Sequence, residues 1–154
     1  MERRKQARQR RTLDIMKILF LIRGTSGSGK SSLAKLLTKN QITADDCPGL
    51  YRNGKYQLNL QQKAHDWCFD LCVAMLKKAL PVVAVHNTFT KLKYLDRYIQ
   101  AAKSYGYKTV IIRTEGNYGN VHGVPIEVLI DQEEKYELYG EIKPSYSVSR
   151  KTKN

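Results

Sequence analysis

The chain has 154 residues and a formal charge of +13, from 27 Lys and Arg against 14 Asp and Glu. That length predicts one domain with a working core and excludes two joined catalytic domains. An apolar fraction of 42% argues against a disordered polyelectrolyte, and the longest apolar run, near Ile18 to Ile22, is far too short to span a bilayer.

The charge is uneven: residues 1–14 and 143–154 hold +4 each, leaving +5 for the body. Neither end has apolar periodicity, so the expected organisation is a basic flexible arm at 1–14, a domain at 15–142 and a basic tail at 143–154. Such tails either solubilise or meet a phosphate backbone. The amino terminus lacks the apolar core and cleavage site of a secretory signal, and three cysteines without framework spacing suit a reducing compartment. A cytoplasmic protein, or a nuclear one in a eukaryote, is expected, not secreted and without a membrane partner.

Ile18 to Ile22 reads as a buried strand, and Ser32 to Lys39 as a helix with leucines at helical spacing. Ile42 to Ala44 reads as a very short second strand, and Cys47 to Tyr56 as a loop because of Pro48, Gly49 and Gly54. A long helix is expected from Leu58 to Leu80, stopped by Pro81, then a strand over Val82 to Val85. Leu92 to Ser104 returns to helical spacing, Thr109 to Ile112 is a fourth strand, Gly116 to Gly123 a loop, and Pro125 opens a last helix to Tyr139. The alternation predicts an α/β fold, a parallel sheet with helices on both faces and ligands at the carboxyl ends of the strands.

Gly24-Thr25-Ser26-Gly27-Ser28-Gly29-Lys30-Ser31 fits the phosphate-loop pattern G-x-x-x-x-G-K-[ST], between a strand and a helix as that motif requires. Its glycines let backbone N–H groups face phosphate oxygens, and the following helix, with Ser32, adds its positive end. Lys30 is placed to reach the β- and γ-phosphates of ATP, and the Ser31 hydroxyl to ligate Mg²⁺. A dinucleotide fingerprint is excluded, since Ser32 stands where its third glycine belongs.

A transferase also needs a group for its acceptor. Asp45-Asp46 falls where the second strand ends; Asp45 suits a general base, and equally a turn or helix cap. Tyr51, Arg52, Lys55 and Tyr56 suit an acceptor's phosphate and base, and are also ordinary surface. His86-Asn87-Thr88 ends the third strand: Asn87 and Thr88 can bond a phosphate or metal-bound water, while His86 reads as a core histidine. His65, Cys68 and Cys72 share a helix face and read as core packing rather than a zinc site. Glu133, Glu134 and Glu137 read as a solvated face.

On IRGTSGSGKSSLAK, TADD, QQKAHDWC, VAVHNTFTKLKYLDRYIQAAKSYGY and HGVPIEVL, residues from Ile18 to Tyr139 resemble the bacteriophage-type polynucleotide 5′-hydroxyl kinases and related small P-loop ATPases. The resemblance implies a three-layer α/β/α P-loop kinase fold with four to five parallel strands. It also implies ATP and Mg²⁺ as cofactors, a nucleic-acid 5′ end as partner, and Asp45 as activator of the hydroxyl. Asp46, Arg52, Asn87, Thr88 and His122 are the residues expected around the acceptor. The chain departs from the family at His86 or Asn87, where an Asp is usual, at Phe89 in place of Asn, and at Pro48 in place of an acceptor-binding arginine. Its lid, Glu115 to Gly123, has no Arg or Lys, so His122 and Arg113 are the nearest substitutes. The expected activity is therefore ATP-dependent 5′-hydroxyl phosphorylation. The alternatives are a catalytically weakened nucleotide-binding regulator and a kinase of nucleosides or sugars.

Overall fold

Five consecutive apolar residues form β1 (Ile18–Arg23), which lies inside the sheet and pairs on both edges. The computed structural model describes residues 16–117 and 123–137, so both basic tails and His122 lie outside the described residues. After β1 come α1 (Lys30–Leu37), β2 (Gln41–Ile42), a hairpin of β3 (Tyr51–Arg52) and β4 (Lys55–Tyr56), and α2 (Gln61–Lys77). β5 (Val82–Asn87), α3 (Lys93–Ser104), β6 (Lys108–Arg113) and α4 (Ile126–Lys135) complete the order.

Four parallel strands lie in the order β2-β5-β1-β6. One sheet face, with Leu19, Leu21, Val83 and Val85, packs on Ala64, Cys68, Cys72 and Leu76 of α2 and on Leu95, Tyr98 and Ala102 of α3. The other face, with Ile22, Ala84 and Phe20, packs on Ala34, Leu33 and Leu37 of α1. This is the three-layer α/β/α architecture expected, with four strands in the parallel sheet among the described residues. None of its described helices is long and apolar enough to cross a membrane.

Several boundaries differ from expectation, among them the last helix, which closes at Lys135 rather than at Tyr139, and the third strand, which runs on to Asn87. The second strand stops at Ile42, because Thr43 turns the chain by accepting the Asp45 amide and a short 3₁₀ turn follows over Ala44–Asp46. The helix expected from Leu58 starts at Gln61, after a 3₁₀ turn at Leu58–Leu60, and closes at Lys77. The stretch read as a loop contains the hairpin: Asn53 at φ 51° and Gly54 at φ 73° form its turn, the left-handed pair that Asn-Gly favours in a tight two-residue connection.

Arg23, 1% exposed, ends β1 on the α3 face of the sheet. Its Nε and Nη2 donate to the Phe89 carbonyl at 3.1 and 2.7 Å. Those bonds, with the Phe89 ring edge-on to Tyr98, hold Phe89 at φ 45°, a backbone region that asparagine enters more readily.

Candidate active site

All four parallel strands end on the same side, and there the loop from β1 to α1 meets the turn after β2. Gly27 at φ 78° and Gly29 at φ 100° curl the loop, and α1 starts at Lys30 with no side chain capping its N-terminus. Its first N–H groups thus remain available to an anion. The loop is braced from behind. Gly24 N–H donates to the Thr88 carbonyl at 3.3 Å, Gly116 N–H to the Ser28 carbonyl at 3.1 Å, and the Ser28 and Thr114 hydroxyls bond at 2.6 Å. A Cβ on Gly24 would lie 2.4 Å from both hydroxyl oxygens and 2.7 Å from the Thr114 carbonyl oxygen, so only glycine fits.

The cleft above the loop has a volume of about 780 Å³. Ser26, Gly27, Gly29, Lys30, Ser31 and Ser32 line one wall, so these predicted residues share one surface. Gly24, Thr25 and Ser28 lie behind it, and Lys30 Nζ donates back to the Gly24 and Thr25 carbonyls at 2.9 and 2.8 Å. Burial pushes the Lys30 ammonium down to about 8, against the opposing pull of the Asp45 charge. The curled glycines, the uncapped helix start and the lysine fit a nucleotide's phosphate chain. Ser31, exposed beside them in the cleft that Asp45 and Asp46 also line, has a hydroxyl of the chemistry that fits a divalent cation shared with that chain.

Asp45 and Asp46 line the same cleft. Their turn is held by Asn87, whose Oδ1 accepts from Ala44 N–H at 2.9 Å and from the Thr43 hydroxyl at 3.2 Å. Its Nδ2 donates to Cys68 Sγ at 3.6 Å, so the Asn87 amide, offered above to a phosphate or metal-bound water, is engaged within the protein. Thr88 lines the cleft and also gives its carbonyl to Gly24. His86 is buried, with Nε2 2.5 Å from Gln41 Oε1, and burial with the nearby Lys30 charge pushes it down to about 4.

Beyond Asp45 stands the hairpin. Tyr51 and Tyr56 are cross-strand partners with ring centroids 5.4 Å apart, and the Tyr51 hydroxyl donates to Asp45 Oδ1 at 3.3 Å. Burial and the Asp45 charge hold both phenols protonated, well above the usual tyrosine range for Tyr51. Leu50, Leu58, Gln61, Ala64 and His65 extend this wall. Arg52 does not line the cleft: it pairs with Lys55 across the hairpin, one position along from the tyrosines, and Lys55 lines it instead. Cys68 and Cys72 are core residues as expected, whereas His65 faces the cleft, where burial pushes its imidazole down. Among the described residues no cluster of His, Cys, Asp or Glu could hold a metal by itself.

The sequence profile of the AAA domain family (AAA_33) matches residues 19–115, more than half of the chain. The chain belongs to this family. The chain is 26% identical to human NEDD4-binding protein 2 over 151 residues, covering 87% of this chain and 8% of that protein. It is 29% identical to an uncharacterised protein of Pasteurella multocida over 144 residues, covering 80% of this chain and 75% of the relative. Among solved structures, the Pnkp1/Rnl/Hen1 RNA repair complex aligns with a TM-score of 0.53 at 18% identity, over 88% of this chain and 42% of that one. The shared fold is that of the P-loop kinases.

The chain carries site residues that the sequence did not announce. Thr114 braces the loop through Ser28, from a strand end with no motif of its own. Gln132 of α4 accepts from Ser26 N–H at 3.2 Å and from the Ser26 hydroxyl at 3.3 Å. Glu137, read as part of a solvated face, accepts from Leu92 N–H at 2.8 Å at the start of α3 and pairs with Lys91 at 3.3 Å. Arg113, a lid substitute above, stacks 4.5 Å from the Tyr136 ring and pairs with Glu115 at 3.5 Å.

Proposed function

We propose that this protein is an ATP-dependent phosphotransferase acting on the 5′-hydroxyl end of a nucleic acid. One observation carries the reading: a single cleft is lined by the phosphate loop with Lys30, by Asp45, and by a tyrosine pair whose Tyr51 hydroxyl bonds Asp45. The loop amides and Lys30 hold the β- and γ-phosphates, while Ser31 is the ligand for Mg²⁺, which when bound neutralises developing phosphate charge. Asp45 accepts the proton of the acceptor hydroxyl as its oxygen forms the bond to the γ-phosphorus and the bond to the β-phosphate breaks. Tyr51 orients Asp45 through its hydroxyl, and the Tyr51 and Tyr56 rings offer a face on which a terminal nucleobase can stack. The net charge of +13 favours a polyanionic acceptor over a neutral sugar.

A second reading, a nucleotide-binding regulator with weak or no transfer, is favoured by the cations of the cleft. Among the described lining residues these are Lys30 and Lys55 alone. Incubation of labelled ATP and Mg²⁺ with 5′-hydroxyl oligonucleotides, nucleosides and sugars separates the readings. Transfer to oligonucleotides that Asp45→Asn abolishes is expected. Transfer only to small molecules, or none at high enzyme with ATP binding intact, overturns the nucleic-acid kinase.

A further inference from the structure

α4 contributes Val128 and Gln132 to the cleft, and only Gln132 is polar. The helix is fixed at its far end. Tyr136 lies between Arg23 and Arg113, each guanidinium 4.5 Å from its ring, and Glu137 bonds Leu92 N–H at 2.8 Å and the Thr90 carbonyl at 2.7 Å. Nearby cations are otherwise committed, Lys135 to Asp131 at 2.8 Å and Arg113 to Tyr136 and Glu115. Gln132 is therefore the polar group that α4 holds over the phosphate loop.

We propose that Gln132 is the group through which α4 contacts the phosphate chain of a bound nucleotide, a neutral amide standing where a lid would offer a cation. This rests on the nucleotide reading above and deepens it. A backbone N–H only donates, so without a ligand the atom facing Ser26 N–H is the Gln132 oxygen. A phosphate oxygen only accepts. When one takes the Ser26 N–H, an acceptor 3.2 Å from the same nitrogen becomes a repulsive neighbour, and the amide turns to present Nε2–H instead. The terminal torsion of glutamine is broad and nearly two-fold, so this exchange needs rotation about one bond and no movement of the anchored helix. One side chain thus satisfies the loop when it is empty and donates to phosphate when it is filled. An amide donor supplies less than a guanidinium to charge developing in transfer, which predicts a slow enzyme with intact nucleotide binding.

Titration calorimetry of Mg·ATP into the full-length protein tests this with three variants, each checked for an unchanged melting temperature without nucleotide. Gln132→Ala is expected to weaken ATP about tenfold, as loss of a hydrogen bond to a charged acceptor does. Gln132→Glu, acceptor only, is expected to weaken it further, and Gln132→Arg, donor only, to restore or exceed wild-type affinity. A side chain that merely plugs the loop gives tighter binding in Gln132→Ala. One that merely anchors α4 tolerates Gln132→Glu and fails in Gln132→Arg. Either order overturns the proposal while leaving the nucleotide reading intact; a wild-type protein that binds no Mg·ATP overturns both.

Discussion

Replacing Asn87 by alanine removes the acceptor on which the acidic turn hangs. Its Oδ1 takes two donors, Ala44 N–H at 2.9 Å and the Thr43 hydroxyl at 3.2 Å, from residues 5% and 7% exposed. A buried donor left without a partner costs about 1–3 kcal/mol. The Thr43 hydroxyl can rotate whereas the Ala44 amide cannot, so the pair sums to about 2–4 kcal/mol, and the weak bond to Cys68 adds little. That is a large share of a typical domain stability of about 5–15 kcal/mol. Urea unfolding of Asn87→Ala is expected to show a lower midpoint at unchanged slope. Thr43→Val, which removes one of the two bonds, is expected to lose about 1 kcal/mol. If the proposed transfer occurs, Asn87→Ala lowers kcat while ATP affinity stays within about twofold, because Asp45 is displaced and the phosphate loop is not. A stability loss below about 1 kcal/mol means that water or a rearranged turn satisfies both donors, and Asn87 then does not hold the turn.

Gly24→Ala is expected to abolish ATP binding in a protein that still folds, because the new methyl forces the Ser28–Thr114 brace apart; unchanged affinity in a titration contradicts this. Lys30, held down to about 8 by burial, is drawn back up by an arriving phosphate, so at about pH 8 and above it takes up a proton on binding. ATP affinity is therefore expected to fall as pH rises above about 8, with proton uptake on binding visible as buffer-dependent calorimetric heat. For His86 the folded value of about 4 lies below the ordinary 6.5. The unfolded chain thus binds the extra proton first, and its stabilising neutral form counts fully above pH 6.5 and is lost as pH falls toward 4, by about 3 kcal/mol in all. A nuclear magnetic resonance titration of the His86 ring that shows protonation near pH 6.5 contradicts it.

The legible parts of this chain were those written in consecutive residues. The phosphate loop carries its own strand and helix flanks, and the buried strands show as runs such as Val82 to Val85. The hairpin had a local signal too, Asn53-Gly54 between Tyr-Arg and Lys-Tyr, but surrounding Pro48 and Gly49 spoke for a loop. What stayed hidden depends on pairs far apart in the chain. Asn87 meets Thr43 and Ala44 across 43 or 44 positions, Thr114 meets Ser28 across 86, and Gln132 meets Ser26 across 106. Periodicity reports which face of an element is apolar and is blind to such polar partners. Arg52 lies outside the cleft although Lys55, its cross-strand partner, lines it, and nothing in the local sequence tells those two bases apart.

α4 has no buried residue, and among the described residues it is joined to the domain chiefly by polar and ring contacts through Gln132, Tyr136 and Glu137. The sheet and α2, in contrast, share a continuous apolar core. Such a helix can detach without the core melting, as a separate cooperative unit of low opening free energy. Its amides are expected to exchange with deuterium well before those of α2, and a nucleotide that engages Gln132 slows that exchange. The roof of the cleft is then a local equilibrium whose setting the occupant of the cleft itself determines.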